Sequence, residues 1–101
     1  MLTAKQRAFL RSLAQNRSPA LQIGKEGLSG PLIRQADEYL VAHELLKVQV
    51  GRPLAGDVRP LAEELAAALN ADVVQVIGHR FVLYRRSEEL HLEGNGIILP
   101  R

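Results

Sequence analysis

Leu21–Pro31 reads LQIGKEGLSGP. An apolar run ends at Ile23, glycines at 24 and 27 bracket a lysine, and Pro31 stands where a helix would begin. Ala20–Ile23, short and bounded by turn residues, predicts a strand. Pro31 suits the first turn of a helix, where an amide hydrogen would lack a partner anyway. Strand, glycine loop and helix thus follow in immediate succession. Two readings of the loop are open at this level. One is a connecting turn, the ordinary use of glycine. The other is a seat for a phosphate, because a loop entering a helix points unpaired N–H groups forward. In that reading the missing Cβ atoms at Gly24 and Gly27 let a sugar-phosphate approach, and Lys25 supplies the countercharge. The pattern G-x-x-G also recurs from Gly27 to Gly30 and is common by chance.

Toward the N-terminus, Thr3 and Gln6 match a capping box that opens a first helix over about residues 4–15. Phe9, Leu10 and Leu13 would share its buried face, with Arg7 and Arg11 opposite, four residues apart. Asn16–Pro19 breaks the helix. Beyond Pro31, Leu32, Ile33, Ala36, Leu40 and Val41 recur at helical spacing, predicting a second helix to about His43. From Leu46 the chain alternates: Leu46, Val48 and Val50 on one face, Lys47 and Gln49 on the other, a half-buried strand. Gly51–Asp57 reads as a loop whose Asp57 caps a third helix over about 58–69, with Leu61, Leu65, Ala68 and Leu69 buried. Asn70 ends it. Val73–Ile77 and Phe81–Tyr84 flank Gly78, His79 and Arg80 as a β-hairpin. Ser87–Arg101 is charged, then glycine-punctuated, and is expected to be loosely held.

The chain has 101 residues, enough for one domain with a modest core. Hydrophobic residues make up 47%, ordinary for a folded chain, while tryptophan is absent and the core must be aliphatic. With no cysteine, disulfides, thiolate zinc sites and cysteine nucleophiles are excluded, which fits a reducing cytoplasm. No stretch approaches the roughly 20 apolar residues of a membrane span, and the first residues lack the apolar core of a signal peptide.

The formal net charge is +2, compatible with nucleic acid but no proof of it. Its distribution says more: no acidic residue precedes Glu26, whereas Lys5, Arg7, Arg11 and Arg17 all precede Lys25. A basic first helix beside the glycine loop would form a groove that tracks a phosphate backbone. Enzymatic readings have less behind them. His43, His79 and His91 show no metal-ligand spacing. Glu63 and Glu64 are adjacent on a helix and do not share a face, and no serine lies in a nucleophile motif. Neither G-x-x-x-x-G-K-[ST] nor G-x-G-x-x-G occurs.

LQIGKEG, a proline-started helix, HELLKVQV, VVQVIGHRFVLYR and a closing LPR, taken in that order, resemble the CRM domain (chloroplast RNA splicing and ribosome maturation). Within it they look most like the stand-alone bacterial, YhbY-type members. The resemblance implies a two-layer α/β (α+β) fold in the order α-β-α-β-α-β-β. Its four-stranded mixed sheet would carry the helices on one face, as in the C-terminal domain of translation initiation factor three. It also implies an RNA-binding protein that contacts ribosomal RNA in precursors of the large (50S) subunit and assists its assembly. The family's loop falls on Gly24, Lys25, Glu26 and Gly27, its second-strand lysine on Lys47, and its arginine after the last strand on Arg85. Arg7, Arg11, Arg34 and Arg86 would extend the basic track. The domain would span 1–86, with 87–101 as a tail; the SEELHLEGNG segment reads as an addition. The expectation is a cytoplasmic monomer without enzymatic activity, cofactor, metal, small-molecule substrate or membrane. The rival reading is a protein-interaction module whose basic surface meets an acidic partner.

Overall fold

The computed structural model describes residues 2–51 and 58–101. Its elements are α1 (Ala4–Gln15), β1 (Leu21–Ile23), α2 (Gly30–His43), β2 (Leu45–Val50), α3 (Val58–Leu69), β3 (Asp72–Ile77), β4 (Arg80–Tyr84) and α4 (Glu88–Leu92). The strands form one sheet in the order β1-β2-β4-β3. β1 runs parallel to β2, and β4 is antiparallel to both β2 and β3, so the sheet is mixed. The expected α/β class and four-stranded mixed sheet hold, and the elements follow the expected order α-β-α-β-α-β-β before a short added helix, α4. The expected cap at Asp57 lies outside the described residues.

Local chemistry sets the element ends. The Thr3 hydroxyl accepts from the Gln6 amide at 3.1 Å while the Gln6 side chain accepts from the Thr3 amide at 3.0 Å, closing the capping box. Ser29, whose hydroxyl accepts from the Leu32 amide at 3.3 Å, opens α2. Asn70 ends α3 in the left-handed region at φ +55°. Gly78, at φ +58°, turns the β3–β4 hairpin.

Helices do not all lie on one face. α2 and α3 pack together on the face made by Leu46, Val48, Val50, Phe81 and Leu83. α1 packs on the reverse, where Leu10 and Ala14 meet Leu45, Val74, Val82 and Tyr84. The two-layer expectation is therefore corrected: the first helix adds a partial third layer. The cause is visible in β4, where Phe81, Val82, Leu83 and Tyr84 are all buried. Successive residues point to opposite faces, so four apolar residues in a row on an inner strand need cover on both sides. The stripe of α1 also shifts from the expected one. Leu10 and Ala14 are buried, Phe9 is 36% exposed, and Arg7 flanks the contact instead of opposing it. In α3 the buried set is Val58, Ala62, Leu65, Ala66 and Leu69, with Leu61 only partly covered and Ala68 exposed.

The C-terminal segment is held, not loose. Glu44 follows α2 at φ +66° with no exposed surface, and its carboxylate reaches across the chain. It accepts from the amides of Ser87 and Ile97, each at 2.6 Å. His91 Nε2 lies 3.0 Å from the same carboxylate, near enough to pair when protonated but not aligned to donate a hydrogen bond. The Ser87 hydroxyl donates to the Val41 carbonyl at 2.6 Å, and Gln6 donates to the Pro100 carbonyl at 3.1 Å. Ile97 and Leu99 then extend the α1-side core. A Cβ at Gly96 would overlap the His91 ring.

Tyr84 sits in that core, and burial, followed by the negative charge of Glu44, raises its phenol above the ordinary value of 10.0. The native state therefore holds its proton to higher pH than the unfolded chain. The resulting stability is fully present below pH about 10 and is lost as pH rises through the folded value. In a Tyr39→Phe background, which leaves Tyr84 as the remaining tyrosine, phenolate absorbance should appear at higher pH in the native protein than in urea. Coincident titrations would contradict the burial argument.

Candidate nucleic-acid interface

The Gly24–Gly27 loop leaves β1, an edge strand, and leads through Ser29 into α2. The Gly24 carbonyl accepts the Gly27 amide at 3.0 Å, which folds the four residues into a turn. Gly27 sits at φ +65°, where a side chain is disfavoured, so its identity follows from the turn itself. Gly24 differs. It has no positive φ, and a Cβ built on it meets none of the described residues within 4 Å. Gly30, at the start of α2, is equally open. Among the described residues, neither crowding nor a left-handed backbone calls for glycine at these two positions.

Around Gly24 lies a shallow hollow of about 340 Å³, bordered by Gln22, the four loop residues, Ser29 and Leu32. Lys25 and Glu26 are exposed at its rim, and their amides donate to no atom among the described residues. Neither side chain makes an ion pair among the described residues. The hollow thus offers free N–H groups and one free ammonium, a pairing suited to a phosphate. Arg34, exposed on α2 one turn after Gly30, adds a second unpaired cation among the described residues.

Other expected cations do not gather there. Lys47 Nζ donates to the carbonyls of Ala14 and Arg17 at 3.2 and 3.1 Å, tying off the end of α1 on the reverse face of the sheet. Arg85 donates to the Asp37 carboxylate at 2.7 Å, to the Leu69 carbonyl at 2.9 Å and to the Asp37 carbonyl at 3.1 Å, locking β4 to α2 and α3. Arg86 pairs with Glu88 at 2.7 Å in full solvent; that bond raises the arginine and lowers the glutamate from their ordinary values. Both arginines lie at the end of β4 that pairs with Leu45, whereas the loop is level with Val50 at the other end of β2. Arg7 and Arg11 belong to α1, across the sheet from α2, and Arg7 buries an unbonded Nε. The single groove expected from the first helix and the loop is not formed.

At the loop's own end of the sheet stand three side chains that the expected site did not include. Arg80 pairs with Gln49 across β2–β4, and Gln49 pairs with Gln22 across β1–β2. The signal was strand register, which residue types alone do not reveal. The three histidines are separate: His43 stacks on Tyr39 with ring centroids 4.3 Å apart, His79 is in the hairpin turn, and His91 is in α4. Among the described residues no group of three metal-ligating side chains forms, and no helix is long and apolar enough to cross a membrane.

The CRS1 / YhbY (CRM) domain model matches residues 2–85, a span that includes this strand, glycine loop and helix. The chain belongs to the CRM family. Among CRM relatives, the protein named "Probable RNA-binding protein YqeI" of Bacillus subtilis is 43% identical over 89 residues, covering 88% of this chain and 93% of its own. A Haemophilus influenzae protein named "RNA-binding protein" is 34% identical over 100 residues, covering 99% and 96%. The solution structure of SAV1595 from Staphylococcus aureus matches with a TM-score of 0.80 at 45% identity, over 99% of this chain and all of that one.

Proposed function

We propose that this CRM protein binds RNA by seating one or two backbone phosphates on the Gly24–Gly27 loop and the start of α2. The observation that carries this reading is the bare backbone at Gly24, which no contact among the described residues requires, beside Lys25, unpaired among the described residues. The names of the relatives from B. subtilis and H. influenzae support RNA as the ligand. Lys25 neutralises charge at the loop and Arg34 continues the contact along α2. The protein acts by contact and not by chemistry. Its RNA is ribosomal, in cytoplasmic precursors of the large (50S) subunit whose assembly it assists as a monomer, the role implied by the YhbY-type resemblance.

Titration with fragments of large-subunit ribosomal RNA tests this. Log affinity should fall with log salt by roughly 0.7 for each single-strand phosphate held, so two phosphates give a slope near −1.4. Polyglutamate, offered as competitor, should not displace the RNA at equal charge. Displacement at equal charge would favour an acidic protein partner and overturn the reading, as would the absence of saturable RNA binding.

A further inference from the structure

One row of side chains crosses the sheet at the loop's end. Gln22 pairs with Gln49, Gln49 with Arg80, and Arg80 with Ile77, one residue from each strand. Gln22 lies between Leu21 and Ile23, and Gln49 between Val48 and Val50, all four buried against α2 and α3. By strand alternation the whole row therefore faces the α1 side. α1 does not cover it. The helix sits over Leu45, Val82 and Tyr84, and its Ala14 and Gln15 only border a smaller hollow with Lys47, Gln75 and Arg80.

The row is consequently open. Gln22, Ile77 and Arg80 are exposed, Ile77 by 63%, and Gln49 is half-buried. A hollow of about 600 Å³ lies over them, with His79 and Gly51 at its margin. Among the described residues no acidic side chain lines it and Arg80 makes no ion pair. Gln22, on the edge strand, also borders the hollow at the glycine loop, so the two hollows share that residue.

We infer that this row, Gln22, Gln49, Arg80 and Ile77, is a base-reading platform for single-stranded RNA whose phosphates are held at the Gly24–Gly27 loop. The inference rests on the phosphate-seating reading of the loop and adds a source of sequence preference to it. Each glutamine amide carries both donors and an acceptor, the complement that a base edge requires. The Arg80 guanidinium is planar and can stack on a base or meet guanine with two hydrogen bonds. The exposed Ile77 supplies apolar contact for a base face. Three gaps of about 4.8 Å make the row about 14 Å wide. Four-stranded RNA-binding sheets take about two or three bases across such a face. A duplex hides its base edges from a flat surface, so the occupant is an unpaired segment.

The test uses fluorescence anisotropy with four single-stranded RNA octamers, one for each base. The wild-type protein should prefer one octamer to the weakest by about tenfold, the scale of a good base contact. Gln22→Ala with Gln49→Ala should level that preference to about twofold while keeping the salt slope, since base contacts carry no phosphate charge. Both side chains face solvent or the open hollow, so thermal unfolding should match wild type, which confirms an intact fold. Gly24→Asp should instead weaken all four octamers in parallel and reduce the slope. Equal wild-type binding of all four, or a preference that survives the glutamine changes, overturns the platform, and the loop reading then stands or falls on Gly24→Asp alone. A Gly24→Asp protein with unchanged affinity overturns the loop reading and, with it, the platform as drawn here. Failure of every octamer to bind overturns both.

Discussion

Replacing Glu44 by alanine should lower the stability of the fold by about 3 kcal/mol, a large part of the 5–15 kcal/mol typical of a small domain. The carboxylate is fully buried and accepts the amides of Ser87 and Ile97 at 2.6 Å each. Truncation strands both N–H groups, at about 1–3 kcal/mol apiece. It also removes the charge facing His91, leaving that ring without its carboxylate neighbour. Two companion variants separate the causes. Glu44→Gln keeps one accepting oxygen but turns an amide group toward a donor, so it should recover only part of the loss. Glu44→Gly forfeits the same hydrogen bonds as alanine yet relieves the left-handed backbone at φ +66°, and should be about 1 kcal/mol more stable than Glu44→Ala. Urea unfolding measures all three. Hydrogen exchange at the Ser87 and Ile97 amides should accelerate in each, locating the loss in the C-terminal segment. An alanine variant within about 0.5 kcal/mol of wild type, the range of an ordinary surface change, would refute this account.

How much of this was legible in the sequence depended on how far apart the partners lie. The capping box needs only Thr3 and Gln6, the entry to α2 only Ser29 to Leu32, and the face of β2 only its own alternation. All were readable. Glu44 looked like the end of a helix because its partners stand 43 and 53 residues away. Lys47 and Arg85 looked like free cations for the same reason: their acceptors lie in and just after α1 in one case and in α2 and α3 in the other. A lysine on the polar face of a half-buried strand reads as solvated until the helix crossing that face is known. The placement of α1 had a signal that went unused, since Phe81–Tyr84 reads as a run and not as an alternation. The glycine loop was legible as a shape. What the sequence does not carry is that no described residue crowds Gly24, because that depends on the space around it.

That empty space also makes the sharpest experiment on the loop. Gly24→Asp should reduce affinity for ribosomal RNA fragments by about 30- to 100-fold, on the order of 2–3 kcal/mol, the scale of charge-assisted hydrogen bonds to a phosphate. The new carboxylate would stand where the phosphate sits, adding repulsion to the lost amide contacts. The fold should not suffer: the position has ordinary φ and none of the described residues within 4 Å of a Cβ, so unfolding should shift by no more than about 0.5 kcal/mol. Combining Lys25→Glu with Gly27→Asp is a harsher version, since Gly27 is left-handed, although aspartate tolerates that region better than most residues. Each phosphate lost should also make the salt slope shallower by roughly 0.7. The necessary control is Lys5→Glu, on the exposed side of α1, which is remote from the loop but alters net charge at least as much as Gly24→Asp. If the two variants weaken binding equally, the effect is bulk charge and the loop has no special part. If Gly24→Asp binds like wild type while remaining folded, the bare backbone is a turn and nothing more. A loss confined to the loop variant, with the shallower slope beside it, is what a phosphate resting on Gly24–Gly27 requires.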